Sequence, residues 1–178
     1  METKRYIITG APGAGKSTLL QGLQQAGYHC SAEVSRRLII QEIAQGSNCL
    51  PWLDIPCFSA KVIQEMIVLW HSDSAAPLTF FDRGIADVIA YLKVANLPVP
   101  PAFLHYLEDY PYQRQAFILP PWEAIFVNDS ERWQTFDEAV AIDKAIRETY
   151  TEAGYQLLDV PQGTQEERVA FVLSAIKY

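Results

Sequence analysis

A glycine-rich run that ends in a lysine and a serine points most directly to chemistry in this sequence. Residues 10–17 read Gly-Ala-Pro-Gly-Ala-Gly-Lys-Ser, which fits the pattern G-x-x-x-x-G-K-S/T. Glycines let the backbone curl so that its N–H groups point into the loop, where Lys16 reaches the β- and γ-phosphates and the Ser17 hydroxyl ligates Mg²⁺. A strand-like run precedes the loop and a helix-like run follows it, as this motif requires. We therefore predict a nucleotide site. Its expected contacts are Gly10, Pro12, Gly13, Ala14, Gly15, Lys16, Ser17 and Thr18.

Two charged residues, Asp82 and Arg83, end the strand-like run LTFFDRG at residues 78–84. Ligands of open parallel sheets bind outside the carboxyl ends of the strands. An acidic residue at this point either holds Mg²⁺, directly or through water, or accepts a proton from the substrate, and the sequence leaves both roles open for Asp82. Capping of the next helix is a simpler explanation. The planar fork of Arg83 suits a phosphate or a substrate carboxylate, and a surface ion pair is the alternative.

A third acidic candidate, Glu33, precedes Arg36 and Arg37 by three and four residues. On a helix these side chains share one face. Beside a transferring phosphate, Glu33 would activate a substrate hydroxyl and Arg36 would bind or orient the substrate. An ordinary helical ion pair explains the same spacing equally well. Glu33 is our first candidate for a general base, and Asp82 is the second.

An irregular aromatic segment near residues 122–136 follows the fourth predicted strand. In phosphotransferases a mobile lid excludes water and brings an arginine to the phosphates, and we assign that catalytic role to Arg132. Trp122 would stack on a substrate ring, although aromatic side chains also simply pack within the protein.

Composition limits the classes of protein that fit. The chain has 178 residues, within the range of one domain, so we expect a single domain over residues 1–178. Its 21 acidic and 14 basic residues give a net charge of −7, which argues against a nucleic-acid partner. Neither a leader nor a membrane-length apolar run is evident, so we expect a soluble, cytoplasmic protein. Cys30, Cys49 and Cys57 match no metal-site spacing, and we expect three buried thiols without a disulfide.

Strand-like and helix-like segments alternate along the chain, which is typical of an α/β fold with a parallel sheet between helices. Thr135 and Thr164, each followed three residues later by a glutamate, predict two helix starts. The predicted strands cover residues 5–9, 28–31, 78–82, 115–119 and 155–159. The predicted helices cover residues 16–26, 32–45, 57–72, 84–95, 101–110, 136–153 and 165–177.

Five segments carry a family resemblance: YIITGAPGAGKST, SAEVSRRLI, FFDRGIADVIAY, FILPPWEAIFVNDSERWQTFDEA and GYQLLDVPQGTQEERVAFVL. Together they resemble a small AAA-type, ATPase-like P-loop family related to nucleoside and nucleotide kinases. LPPWE with Asp129 and Arg132 is also similar to the ribosylnicotinamide kinase domain, which makes Asp129 a further substrate candidate. The resemblance implies a three-layer α/β/α P-loop NTPase fold, kinase-like, with five parallel strands in the order 2-3-1-4-5. It also implies that Val160, Pro161 and Gly163 lie against the nucleotide base.

Three functional classes follow from these residues. The first is an ATP-dependent kinase that phosphorylates a small nucleoside- or nucleotide-like acceptor with Mg²⁺. The second is an ATPase or GTPase that acts as a switch toward a protein partner, and the third is a nucleotide-binding regulatory module. The guanine-reading run N-K-x-D is not present, which favours ATP and leaves GTP open.

Overall fold

A five-stranded parallel sheet forms the centre of the computed structural model, which describes residues 4–72, 76–126 and 134–176. The strand order is β2-β3-β1-β4-β5, and every neighbouring pair is parallel. The predicted fold and strand order are therefore confirmed. The strands are β1 Lys4–Gly10, β2 His29–Cys30, β3 Leu78–Asp82, β4 Gln115–Leu119 and β5 Gln156–Asp159.

Seven α-helices connect and cover these strands in the described part of the chain. They are α1 Lys16–Gln25, α2 Val34–Ala44, α3 Ile55–Ser72, α4 Ile85–Val94, α5 Pro101–Asp109, α6 Phe136–Glu152 and α7 Gln165–Ala175. A short 3-10 helix, Glu123–Ile125, follows β4. Within the described residues, no helix combines the length and the apolar character that crossing a membrane requires.

The side chains of β1 alternate between two helical layers, as the two-residue period of a strand requires. Tyr6 and Ile8 belong to the core beneath α1 and α7, whereas Ile7 belongs to the core beneath α4 and α6. A third cluster joins α2, α3 and α5 to α4. Helices therefore cover both faces of the sheet, and its carboxyl edge remains available for a ligand.

The helix starts follow from local capping. Thr135 and Thr164 each accept a hydrogen bond from the backbone N–H three residues later, which confirms both predicted capping boxes. Helix α3 begins at Ile55, two residues before the predicted start, because Pro56 is tolerated in the first turn of a helix. The Asp54 carboxylate accepts the Cys57 N–H at 2.9 Å.

One prediction about the cysteines is wrong. Cys49 and Cys57 form a disulfide, with their Cα atoms 5.4 Å apart, whereas Cys30 is a free, buried thiol as expected. The loop between α2 and α3 turns back at Leu50, whose carbonyl accepts the N–H groups of Leu53 and Asp54. This turn brings together two cysteines eight residues apart, a spacing that matches no short motif.

Candidate functional site

The glycine-rich loop leaves β1 at the middle of the sheet and leads directly into α1. Gly13 and Gly15 have φ angles of 77° and 83°, in the left-handed region that favours glycine. A side chain at Gly10 would approach the Leu119 carbonyl to 2.5 Å. The N-cap residue of α1 is Gly15. Among the described residues, no side chain caps the first N–H groups of α1, an arrangement that favours an anion.

Lys16 lies at the base of this loop, with its Nζ 3.5 Å from the Gly10 carbonyl oxygen. Burial lowers the pKa of Lys16 to about 8, and the positive charge of Arg83 contributes to the lowering. The charges of Asp82, Glu33 and Asp87 act in the opposite direction and raise this pKa in part. The charges of Asp82, Arg83 and Glu33 thus all act on the Lys16 ammonium group, whose charged form a bound phosphate would stabilise.

Asp82 ends β3 and is 7% exposed. Its N–H donates to the Ser31 hydroxyl at 3.1 Å, and its carboxylate oxygen Oδ1 is buried without a hydrogen-bond partner in the described structure. Burial raises the pKa of this carboxyl. A buried carboxylate oxygen requires a partner, and a hard cation such as Mg²⁺ or a water molecule bound to it meets that need. The donor pair of Asp82 and Ser17 therefore fits magnesium.

Arg83 and Asp87 form a buried ion pair beside Asp82, with 3.1 Å between Arg83 Nη1 and Asp87 Oδ1. Asp87 is 1% exposed and also accepts the Gly84 N–H at 2.9 Å, the Tyr150 hydroxyl at 2.5 Å and the Thr9 hydroxyl. Asp87, and not Asp82, thus caps α4. Its carboxylate links β1, α4 and α6 to the arginine.

Glu33 and Arg36 lie at the start of α2 and line the cleft. Glu33 occupies the N-cap position of α2, and Arg36 Nε lies 3.6 Å from its Oε2. Arg37 points elsewhere and pairs with Glu65 at 2.5 Å. Glu33 and Arg36 line the same cleft as Lys16, whereas Arg37 does not.

The cleft has a volume of about 770 Å³ and extends well past the glycine-rich loop. One end is polar and contains the loop and its charged neighbours. The other end is apolar and lies against α2, α3 and α4. Its apolar lining includes Ile39, Ile55, Phe58, Val62 and Met66. The cleft can therefore hold a second molecule beside a nucleotide.

Most predicted contacts line this cleft. They are Pro12, Gly13, Gly15, Lys16, Ser17, Thr18, Glu33, Arg36, Asp82, Arg83, Trp122 and Gly163. Gly10 and Ala14 are buried in the loop, the Val160 side chain packs in the core, and Pro161 is exposed away from the lining. Asp129 and Arg132 lie outside the described residues, as does much of the segment near 122–136, so their roles stay predictions.

Asp87, Tyr91 and Arg168 also line the cleft and are not among the site residues predicted from the sequence. Tyr91 follows Asp87 by four residues on the helix that begins just after Arg83, so helical periodicity was the signal that could have placed both side chains on one face. Arg168 gave no signal, because an arginine within a charged helix start is typical of a solvated surface. In the structure it is 4% exposed.

Comparison with known protein families adds a decisive observation. A family described as an AAA domain matches residues 5–168, which is most of the chain. The chain belongs to this AAA-domain family. The resemblance seen in its motifs is therefore confirmed. In the comparison with curated protein sequences, none matches the chain.

Solved structures that resemble this AAA-domain protein include several kinases. Deoxyadenosine kinase from M. mycoides, with products dCMP and dCDP bound, has a TM-score of 0.68 at 13% identity, covering 96% of this chain and 97% of that one. Thymidylate kinase from Candida albicans has a TM-score of 0.65 at 17% identity, covering 97% and 90%.

The NadR protein in complex with NR has a TM-score of 0.72 at 18% identity. The match covers 97% of this AAA-domain chain and half of the NadR chain. At these identities the comparison establishes the fold, which is the kinase-like P-loop fold.

Proposed function

We propose that this protein is an ATP-dependent kinase that phosphorylates a hydroxyl group on a small, nucleoside-like molecule. The observation that carries the proposal is the two-ended cleft, in which a phosphate-binding loop opens onto an apolar compartment on α2, α3 and α4. Phosphoryl transfer between two small molecules requires both binding places at once. A hydrolase needs room only for water beside the γ-phosphate.

The polar end of the cleft supplies the groups that such a transfer needs. The loop N–H groups and Lys16 would hold the β- and γ-phosphates, and Ser17 and Asp82 would hold Mg²⁺. Bound Mg²⁺ supplies charge neutralisation on the phosphates. Arg83 would bind the oxygens of the transferring group through its planar fork. All of these side chains line one cleft.

Glu33 is the general base in this proposal. It lines the cleft, is partly exposed, and its carboxylate lies 3.6 Å from Arg36 Nε. An acceptor whose ring occupied the apolar end would place a hydroxyl near the Glu33 carboxylate. Asp82 is buried and positioned for the metal, which leaves Glu33 free to take the proton.

The nucleoside-like character of the acceptor is supported by the lining of the apolar end. Aliphatic and aromatic side chains such as Ile55 and Phe58 suit a planar ring, and Arg36 and Ser59 at its margin offer polar contacts. The similar folds of a deoxyadenosine kinase and of NadR in complex with NR agree with an acceptor of this kind.

The alternative function is a nucleotide-dependent switch that hydrolyses ATP or GTP and signals to a protein partner. Membership of an AAA-domain family favours hydrolysis as the competing activity. The two functions differ in one measurable respect, since only the kinase requires an acceptor for turnover.

The test measures ADP release from ATP and Mg²⁺ with and without nucleosides, ribosylnicotinamide and nucleoside monophosphates. Lys16→Ala serves as the blank, and Lys93→Ala is the matched control, because Lys93 pairs with Glu152 away from the cleft. An acceptor that stimulates ADP release and appears as a phosphorylated product supports the kinase. Equal turnover with every acceptor supports the switch. Tight ATP binding without turnover supports a regulatory module.

A further inference from the structure

Arg168 connects the last helix to the phosphate-binding loop. It lies in the first turn of α7 and is 4% exposed. Its Nη2 donates to the carbonyl oxygens of Ala14 at 3.2 Å and of Gly15 at 3.3 Å, more than 150 residues away in the chain. A guanidinium group is thus fixed against the backbone of the loop.

The same turn of α7 contacts the loop helix at a second point. Gln165 Nε2 donates to the Thr18 carbonyl at 2.6 Å. Gly22 of α1 lies so close to Val169 and Gln165 that a Cβ there would meet them at 2.7 and 2.9 Å. This close packing fixes α7 against α1, so the backbone of Arg168 has a fixed position relative to the loop.

The orientations of the Ala14 and Gly15 carbonyl groups determine where the next two N–H groups point. Arg168 binds both carbonyls, and the Gly15 carbonyl also accepts the Leu19 N–H at 3.3 Å. In a trans peptide the carbonyl and the next N–H point in opposite directions. When the Ala14 and Gly15 carbonyls face Arg168, the N–H groups of Gly15 and Lys16 face the other way, toward the cleft. We propose that Arg168 is a positioning residue that holds these two peptide planes in the orientation that binds a polyphosphate.

The charge of Arg168 supports the same role. In the described part of the chain, Arg168 forms no ion pair with an acidic side chain, so its charge is not neutralised locally. A fixed positive charge behind the loop adds to the field that attracts an anion in front of it. This charge would act on any polyphosphate, whatever base it carries.

A different role for Arg168 is recognition of the base. Its Cζ lies 5.9 Å from the centre of the Trp122 ring, and both residues line the cleft. A base between them would lose contacts if Arg168 were removed. The two roles differ in their ligands, because inorganic tripolyphosphate has phosphates and no base.

The inference deepens the nucleotide side of the proposed function and rests on nucleotide binding alone. Its test therefore uses binding and not phosphoryl transfer. Failure to phosphorylate any acceptor would leave this test intact.

The experiment compares Arg168→Met and Arg168→Lys with the wild type. The matched control is Arg147→Met, since Arg147 on α6 pairs with Asp143 and Asp159 and does not line the cleft. Calorimetric titration with Mg²⁺ and either ATP or tripolyphosphate gives the affinities, at a temperature where urea unfolding shows each variant to be folded. Amide NMR shifts of Gly15 and Lys16 report on the N–H groups directly.

We expect Arg168→Met to weaken the binding of ATP and of tripolyphosphate by the same factor, at least about tenfold, since the guanidinium that contacts the Ala14 and Gly15 carbonyls is lost. The amide shifts that tripolyphosphate causes at Gly15 and Lys16 should shrink with it. Arg168→Lys keeps the charge on a shorter side chain without the planar guanidinium, so we expect an intermediate loss. Arg147→Met should lower the free energy of unfolding and leave both affinities unchanged.

Four results would overturn the proposal. Loss of ATP affinity with unchanged tripolyphosphate affinity would assign Arg168 to the base. Unchanged affinity for both ligands in the folded Arg168 variants would reduce it to a structural contact. If Arg168→Met does not fold, the Arg168→Lys variant decides. A tripolyphosphate affinity equal to that of the wild type in this variant would also mean that Arg168 is only a structural contact. A wild-type chain that binds neither ligand would exclude the loop as a polyphosphate site.

Discussion

Arg83 and Asp87 lie four residues apart and form a buried ion pair at the carboxyl end of β3, with 3.1 Å between Nη1 and Oδ1. Asp87 is fixed in turn by the Gly84 N–H and by the hydroxyl groups of Thr9 and Tyr150. Arg83 itself has a φ of 71°, which is uncommon for a side chain of this size. The Asp87 carboxylate thus fixes the direction of the guanidinium in the cleft, together with Tyr91, whose ring centre lies 5.7 Å from Arg83 Cζ.

We expect Asp87→Asn to lower both stability and turnover. The amide keeps the shape of the carboxylate but removes the charge that forms the buried ion pair with Arg83, which should lower the free energy of unfolding by about 3 kcal/mol. Because Arg83 then loses its fixed direction, phosphorylation of an acceptor should slow by about tenfold or more. Urea unfolding and steady-state kinetics measure the two effects.

Tyr150→Phe tests whether turnover depends on the Arg83–Asp87 ion pair or on the other hydrogen bonds to Asp87. It removes one hydrogen bond to Asp87 and should cost about 1 kcal/mol of stability, while the contact with Arg83 remains. Its turnover should stay near that of the wild type. In an Arg83→Met background, Asp87→Asn should slow turnover no further. If Asp87→Asn slowed turnover in the Arg83→Met background by the same factor as in the wild type, Asp87 would act through the fold and not through Arg83.

Replacement of Glu33 by glutamine tests the proposed base. The amide cannot accept a proton, so turnover with an acceptor should fall by about 10²-fold or more, with little change in ATP affinity. Glu65→Gln is the matched control, because Glu65 pairs with Arg37 and does not line the cleft. Wild-type turnover in Glu33→Gln would return the role of base to Asp82.

A bulky side chain on α2 tests the apolar end of the cleft. Ile39 lines this end, so Ile39→Trp should fill part of it and raise the KM for the acceptor about tenfold, while ATP binds as before. Ile43→Trp, four residues further along the same helix, is the control because Ile43 is 56% exposed and does not line the cleft. Weaker ATP binding in Ile39→Trp alone would place the nucleotide, and not the acceptor, at this end.

The sequence alone predicted nearly all of the elements, because hydrophobic periodicity, capping boxes and the glycine-rich motif are local signals, whereas the order of the strands followed from the family resemblance. The two threonine caps illustrate this, since each needs only a glutamate three residues later. Helix α3 begins earlier than predicted for a local reason as well, namely that Pro56 fits the first turn.

The contacts that determine the direction of functional groups were not predictable in this way. Arg168 binds carbonyls about 150 residues away, and the partners of Asp87 come from β1 and α6. These hydrogen bonds join a side chain to a backbone carbonyl, or a hydroxyl group to a carboxylate. Many residues of the chain are able to form such bonds, so residue type alone does not identify the partners. The Cys49–Cys57 disulfide was not predictable either, because a turn at Leu50, and not the spacing of the cysteines, brings the two residues together.

Thiol counting tests the state of the cysteines. A denatured, unreduced sample should contain one reactive thiol, that of Cys30, and three should appear after reduction of the Cys49–Cys57 disulfide. Ellman's reagent on purified protein measures both numbers, and Cys30→Ala should reduce the first number to zero. Three thiols without reduction would show that the disulfide is not formed.

The native thiol of Cys30 should react very slowly, and its rate should depend on pH. Burial raises the pKa of Cys30 to about 12, and the negative charge of Asp82 contributes. Since the thiolate is the nucleophile and only about one in ten thousand thiols is ionised at pH 8, alkylation by iodoacetamide should accelerate about tenfold per pH unit up to pH 11. Any modification that instead followed global unfolding would track the free energy of unfolding, which urea titration at each pH determines. A rate that levelled off near pH 9 would contradict the raised pKa and would indicate that Cys30 lies in a polar environment.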